Sequence, residues 1–400
     1  MFKLLCLGGL VLAPTLCAAS ARGRPAIVLP FSHLCEDGNL DWIGESIAGS
    51  ITEALLGEGE LMVGREQRLR ACERLGVDPT ARIALATALK IGLTVDASRV
   101  VFGRYEVAPA GGAEGNGART LSIRAEIYDL SARQLTAQFD VSGPLESLPT
   151  LQLKIALEVL RALHPGRTLS EEEFSARWPA VRLDALESYI RGLTAPDPAT
   201  RHRLFTQAVR LDPNFSQPAF QLGKMHWERG DHYRVAEDWL TKVRPSQPHY
   251  LEATFLAGLC RYQFADFSRA HEAFAIVAQS LPLNEVWNNL GAAQSRLGMA
   301  EALGSFRQAL EGDPADPVYR FNLGYLLWKR GQFEEAAEHL RVAAQLLPED
   351  EEATSFLSRC EQRQGPRPRE TRVEGRERLK LNFEEIAYRQ LKAVLEPRAE

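Results

Sequence analysis

The chain has 400 residues, 45% of them hydrophobic and 25% charged, and a formal net charge of -5. That length exceeds one ordinary hydrophobic core and predicts two domains, while the composition excludes wholesale disorder. The small acidic excess speaks against a non-specific nucleic-acid binder. Beyond the N-terminus no apolar run reaches the roughly 20 residues a membrane-spanning helix needs.

Residues 1–21 read as an export signal. Lys3 supplies the positive start, Leu4 to Leu16 form the apolar stretch, and Ala19-Ser20-Ala21 offers a small-x-small cleavage site. The expectation is a periplasmic or secreted mature chain cleaved after Ala21 or Ala19, with no transmembrane span; retention of the segment as an anchor is left open. Cys17 follows Pro14-Thr15-Leu16, which fits a lipoprotein processing site poorly. Cleavage removes Cys6 and Cys17. Cys35, Cys72, Cys260 and Cys360 remain, too sparse for a disulfide scaffold and without metal-ligand spacing. Cys35 and Cys72 fall in one expected domain and are a candidate disulfide in an oxidising compartment. Cys260 and Cys360 are expected as buried small apolar side chains.

Residues 22–165 alternate strand and helix patterns. Ala26 to Phe31 (AIVLPF) reads as a first buried strand. Ile43, Ile47, Ile51 and Leu55 then recur at fourfold spacing on one helix face. Leu61 to Glu66 reads as a second strand, followed by a short helix that ends at Gly76, and Thr80 to Gly92 as another helix. SRVVFGRYEVAP predicts a third strand, RTLSIRAEIYDL and LTAQFDVSG a hairpin with one wet face, and SLPTLQLKIALEVLRAL a closing amphipathic helix. The glycine-rich loop Ala108 to Gly117 lies between two strands and lacks a Lys-Ser/Thr signature, so it reads as a hairpin loop and not as a phosphate cradle.

The combination PAIVLPF, LDWIGESIAGSITEALL, LMVGRE, DASRVVFGRYEV and LSIRAEIYDLSARQL resembles the TolB amino-terminal and CsgG/FlgO-like α/β domains of bacterial envelope proteins. The "VLPF" strand, the "DWIGE" helix start and the "A-x-x-V-V-x-G" strand carry that resemblance, which covers nearly all of residues 22–165. It implies a small mixed-sheet domain used for protein contacts in envelope assemblies, without catalysis.

Residues 166–182 read as a linker. Residues 183–363 then repeat. Gly223, Gly258, Gly291 and Gly324 are spaced by 35, 33 and 33 residues, and Pro213, Pro248, Pro282, Pro314 and Pro348 close successive units. Ala236, Ala270, Ala302 and Ala336 hold the small position of the second helix. PVYRFNLGYLLWKRGQFEEAAEHLRVAAQLLPED resembles a nearly complete tetratricopeptide unit. The expectation is about five repeats and a capping helix, with each glycine letting the first helix approach the second and the alanine filling the hollow. The overall fold class is therefore α+β: a small mixed α/β domain followed by an all-α tetratricopeptide superhelix.

In such arrays the first helix of each repeat lines the inner groove. By position the candidates are Phe220, Lys224 and Trp227; Phe255, Leu259 and Tyr262; Asn288, Ser295 and Arg296; and Phe321, Tyr325, Trp328 and Lys329. Aromatic residues interspersed with cations suit a peptide partner, and some of these residues are expected to pack between helices instead. Asn289 and Asn322 stand where carboxylate-binding repeats carry asparagine; since Asn is common there, no clamp for a C-terminal carboxylate is expected.

Residues 364–378 read as a charged linker, and residues 379–396 as an amphipathic helix whose apolar stripe includes Leu379, Phe383 and Ile386. It must dock on the solenoid, a second copy or a partner. No G-x-S-x-G, H-E-x-x-H or phosphate-loop motif is present. No catalytic residue, metal or cofactor is expected. The leading reading is a non-enzymatic adaptor with a protein or peptide partner in the cell envelope. A structural subunit of an outer-membrane or secretion assembly and a small-ligand sensor stay open, as does a homo-oligomer.

Overall fold

The computed structural model describes residues 23–34, 39–79, 82–109, 119–230, 232–247, 249–367 and 375–383. The described residues divide into two compact units: those up to 145 and 154–168 belong to the first, those of 146–153 and from 169 onward to the second.

The first unit is built on a mixed five-stranded sheet. β1 (Ala26–Val28) and β2 (Ser32–His33) both run parallel to β3 (Arg99–Pro109), which pairs antiparallel with β4 (Arg119–Asp129), itself antiparallel to β5 (Gln134–Pro144). The expected first strand is broken at Leu29–Phe31 because Pro30 has no N–H for the ladder. The second expected strand, Leu61 to Glu66, is reduced to one bridge between Met62 and Ala26, and a helix already starts at Arg65. Helix α1 (Trp42–Gly57) buries the expected face of Ile43, Ile47, Ile51 and Leu55, α2 (Arg65–Leu75) ends as expected at Gly76 with φ 63°, and α3 (Leu85–Thr94) starts later than the expected Thr80 and runs on past Gly92. Helix α4 (Leu148–Leu163) contributes residues to both units.

The three motifs quoted for the envelope-domain resemblance meet at one residue, Phe31. A Cβ at Gly44 of "DWIGE" would lie 2.1 Å from the Phe31 carbonyl oxygen, and one at Gly103 of β3 would lie 2.3 Å from the Phe31 ring. Beside them Glu45 accepts from both Arg65 and Arg68, and Arg68 Nη1 also donates to the Val28 carbonyl at 3.2 Å. Burial alone would raise the Glu45 carboxyl, but the two guanidinium groups hold it below its ordinary value. Cys72 is a free, buried thiol; Cys35, its candidate partner, lies outside the described residues.

The second unit is helical. A short helix α5 (Glu171–Arg177), opened by a Ser170–Glu173 capping box, lies in the stretch read as linker. Among the described residues five successive helix pairs follow: α6 (Leu183–Thr194) with α7 (Pro198–Leu211), α8 (Gln217–Arg229) with α9 (Tyr233–Leu240), α10 (Tyr250–Gln263) with α11 (Phe267–Ser280), α12 (Asn284–Leu297) with α13 (Ala302–Gly312), and α14 (Pro317–Lys329) with α15 (Phe333–Leu346). Helix α16 (Glu351–Glu361) comes last.

The repeat glycines work as expected, but the residue filling the hollow differs. A Cβ on Gly223, Gly258, Gly291 or Gly324 would lie 2.5 to 2.8 Å from Leu240, Phe274, Phe306 or Leu340 respectively. These are the large residues four positions after the repeat alanines, so one helical turn further along the same face. The alanines are fully buried beside them.

Candidate functional site

The structure assigns the predicted groove an occupant from the chain itself. Residues 375–380 carry no regular secondary structure and run along the first helices of the last repeats, against the order in which those helices occur. The expected C-terminal helix is therefore absent over 379–383; residues 384–396 lie outside the described residues.

Backbone recognition is carried by three fully buried asparagines. Asn322 on α14 grips Arg378 twice: its Nδ2 donates to the Arg378 carbonyl at 2.8 Å, and its Oδ1 accepts the Arg378 N–H at 2.8 Å. Asn289 on α12 grips Lys380 in the same way, at 2.7 and 2.8 Å. Asn288 joins the two amides. Its Nδ2 donates to Asn289 Oδ1 at 3.1 Å and to the Arg378 carbonyl at 2.9 Å, and its Oδ1 accepts from Asn322 Nδ2 at 2.7 Å. Every amide hydrogen of Asn288 and Asn322 is used, which leaves this buried network satisfied when an extended backbone lies in it.

Side chains of the segment fill distinct places. Glu377 Oε1 accepts from Lys329 Nζ at 3.0 Å and from Ser295 Oγ at 2.6 Å, with the Glu377 side chain fully buried. Arg378 forms a two-armed ion pair with Asp350, Nη2 to Oδ1 at 2.8 Å, reaches Glu352 at 3.0 Å, and lies 3.5 Å above the Phe321 ring. Those hydrogen bonds from Arg378, more than any other influence, hold the Asp350 carboxyl below its ordinary value. Lys380 pairs with Asp316 and lies 4.8 Å above the Tyr319 ring. Leu379 packs against the apolar clusters on both sides, and Phe383 meets Phe255 edge-on at 4.8 Å.

Of the residues expected on the groove wall, Asn288, Ser295, Lys329, Phe321, Phe255 and Tyr325 touch the segment directly, Tyr325 through a hydrogen bond of its hydroxyl with the Arg376 backbone. Arg296 lies against Gly375, where a Cβ would meet its Nη1 at 1.6 Å, and over the Phe267 ring at 4.5 Å. Tyr262 packs between the two apolar clusters next to Leu379. The Tyr325 and Trp328 rings are buried and both pack on Phe356, and Trp328 Nε1 donates to the Gln364 carbonyl at 2.7 Å. Phe220 is likewise buried, stacked on His249 at 4.5 Å, and Trp227 packs on Tyr233. Lys224 faces Glu252, whose carboxyl is raised by burial but held low overall by His249 and Lys224.

Asp316, Asp350, Glu352 and the segment itself escaped sequence reasoning. Two of them carried a local clue. Asp316 and Asp350 cap α14 and α16, with Asp316 Oδ1 accepting from Val318 and Tyr319 and Asp350 Oδ1 from Ala353. A capping carboxylate has a second oxygen free for a cation.

Residues 299–361 match the family model for the tetratricopeptide repeat. That stretch carries tetratricopeptide repeats, and the helix pairs before it close through the same glycine contact. The array is similar to part of the peroxisomal targeting signal receptor of Candida glabrata, 28% identical over 133 residues, which is 33% of this chain. The chain spans about a fifth of that relative, 22% of its length. Among solved structures it is similar to YrrB, described as a tetratricopeptide-repeat protein with an unusual peptide-binding site, at 19% identity and TM-score 0.40, covering 43% of this chain and 91% of that one. It is also similar to MamA from Desulfovibrio magneticus RS-1, at 21% identity and TM-score 0.38, covering 43% and 99%.

Proposed function

We propose that this chain is an exported scaffold of the cell envelope whose repeat groove binds an extended segment of a protein partner. The observation that carries the reading is the asparagine network of α12 and α14, which holds the backbone N–H and C=O of two alternate residues in an extended chain. Such groups match the alternating donors and acceptors of a peptide backbone. The export reading rests on Lys3, the apolar stretch and Ala19-Ser20-Ala21, all outside the described residues. The TolB/CsgG-like resemblance of the first unit supports an envelope setting and a second protein contact there. A receptor for a targeting signal among the similar proteins agrees with peptide recognition.

The test is capture from the native envelope by the mature chain and by its Asn289→Ala/Asn322→Ala variant, with cell fractionation of the full-length chain alongside. A specific envelope protein retained by the first and lost by the second is expected. Full retention by the variant, or a chain that stays in the cytosol, overturns the reading. Phe321, Tyr325 and Trp328 are unsuitable probes, because truncating buried aromatic residues costs about 3–5 kcal/mol and so confounds lost binding with lost stability.

A further inference from the structure

We propose that residues 376–383 are a resident, displaceable ligand of the groove, and that the external segment it accepts carries the same pattern: acidic, Arg, apolar, Lys, then an aromatic three residues on. This rests on the peptide-groove reading and adds to it the chemistry of the ligand and the control of access.

Each place in the groove reads one property. The Lys329 ammonium and the Ser295 hydroxyl converge on the buried carboxylate of Glu377, so a neutral residue there would leave a nearly buried cation unpaired. Asp350 and Glu352 take three hydrogen bonds from the planar fork of Arg378 while the Phe321 ring lies beneath it. Lysine could supply the charge but not the fork or the stacking. Asp316 and Tyr319 take a single ammonium from Lys380. Leu379 sits where the two apolar clusters adjoin, and Phe383 meets the Phe255 ring. Backbone grip and side-chain places together recognise a sequence and not merely an extended chain.

The segment is a ligand and not a structural strut. The helix ends it touches are already capped, Asp316 by Val318 and Tyr319 and Asp350 by Ala353. The helix pairs close through their own glycine and Phe or Leu contacts. Among the described residues, residues 375–383 add no rung to a helix or sheet, and their ion pairs remain partly exposed, with Arg378 and Lys380 side chains at 23% and 25%. Contacts of this kind exchange readily for an equal set on another chain.

The test uses the full chain with Arg378→Glu/Lys380→Glu, which sets like charges against Asp350, Glu352 and Asp316 while leaving the groove intact. The probe is a fluorescent peptide of residues 375–385, with the same double charge reversal as its control, read by anisotropy. The variant is expected to bind the probe at least tenfold tighter than the wild-type chain, to ignore the control, and to lose binding when Asn289→Ala/Asn322→Ala is added. Circular dichroism checks that helix content is kept; should the double variant lose it, Arg378→Ala is read in the same way. Equal affinity for wild type and variant, or no binding by the folded variant, overturns the proposal. So does a wild-type dimer in sedimentation that the charge reversal dissociates, since the segment would then lie in a second copy. The titration needs no cellular partner. A failed envelope capture with a positive titration therefore counts against the scaffold assignment alone, and equal affinities against this inference alone.

Discussion

Asn289 and Asn322 each hold one residue of the segment by two hydrogen bonds. A hydrogen bond contributes about 0.5–1.5 kcal/mol net, so either alanine substitution should weaken docking by about 1–3 kcal/mol. Hydrogen exchange at the Arg378 and Lys380 amides reads this: slow in the wild type, fast in the variants, and unchanged protection would mean the segment is held by other groups. Sequence position placed both asparagines on the groove face. It could not tell an internal backbone from a terminal carboxylate as their ligand, because that depends on residues some 60 to 90 positions away. The burial of Cys260 and Cys360 was legible from the sequence. Burial pushes the Cys260 thiol up to about 12 and the Cys360 thiol to about 11, so almost no thiolate exists at pH 8. Iodoacetamide should modify both only after denaturation; rapid labelling of the native chain would contradict their placement.

Helix pairs depend on the absence of a side chain at the repeat glycines. At Gly258 a Cβ would lie 2.8 Å from Phe274, and at Gly291 2.8 Å from Phe306. Gly258→Val should therefore destabilise the array by about 1–3 kcal/mol through overpacking, read from the urea midpoint. Phe274→Leu should recover part of the loss, since Leu240 and Leu340 already occupy the equivalent hollow. A strictly additive pair of substitutions would show that the two positions do not meet. The 33- to 35-residue period made this element readable, because it repeats the same contact four times. Over residues 379–383 the apolar spacing misled for a plain reason. Leu379 and Phe383 are four apart, and residues four apart share a face in a helix and in an extended strand alike. Only the asparagines opposite, far away in sequence, decide between them.

The two units are separate compact bodies, and the docked segment lies within the second. Asp350 gives that unit a pH dependence of known sign. Its folded carboxyl is held below the ordinary value, first by the hydrogen bonds of Arg378. Its contribution is thus complete above about pH 4 and is lost as pH falls through the depressed value. The melting difference between wild type and Arg378→Ala should be full at pH 7 and close towards pH 2.5. A gap that stays constant would show that the ion pair is not linked to folding. Over the same range the first unit, whose Glu45 answers to Arg65 and Arg68, should respond identically in both proteins.

A ligand carried on the same chain as its site is present at an effective concentration that, for short connections, is on the order of millimolar. The groove is therefore never empty by dilution, and a free peptide making the same contacts must approach that concentration to compete on equal terms. A scarce partner would prevail only by presenting several copies of its motif or by touching surface outside the groove. Binding would then switch on over a narrow range of partner density, so that the chain answers to clustered partners and disregards isolated ones.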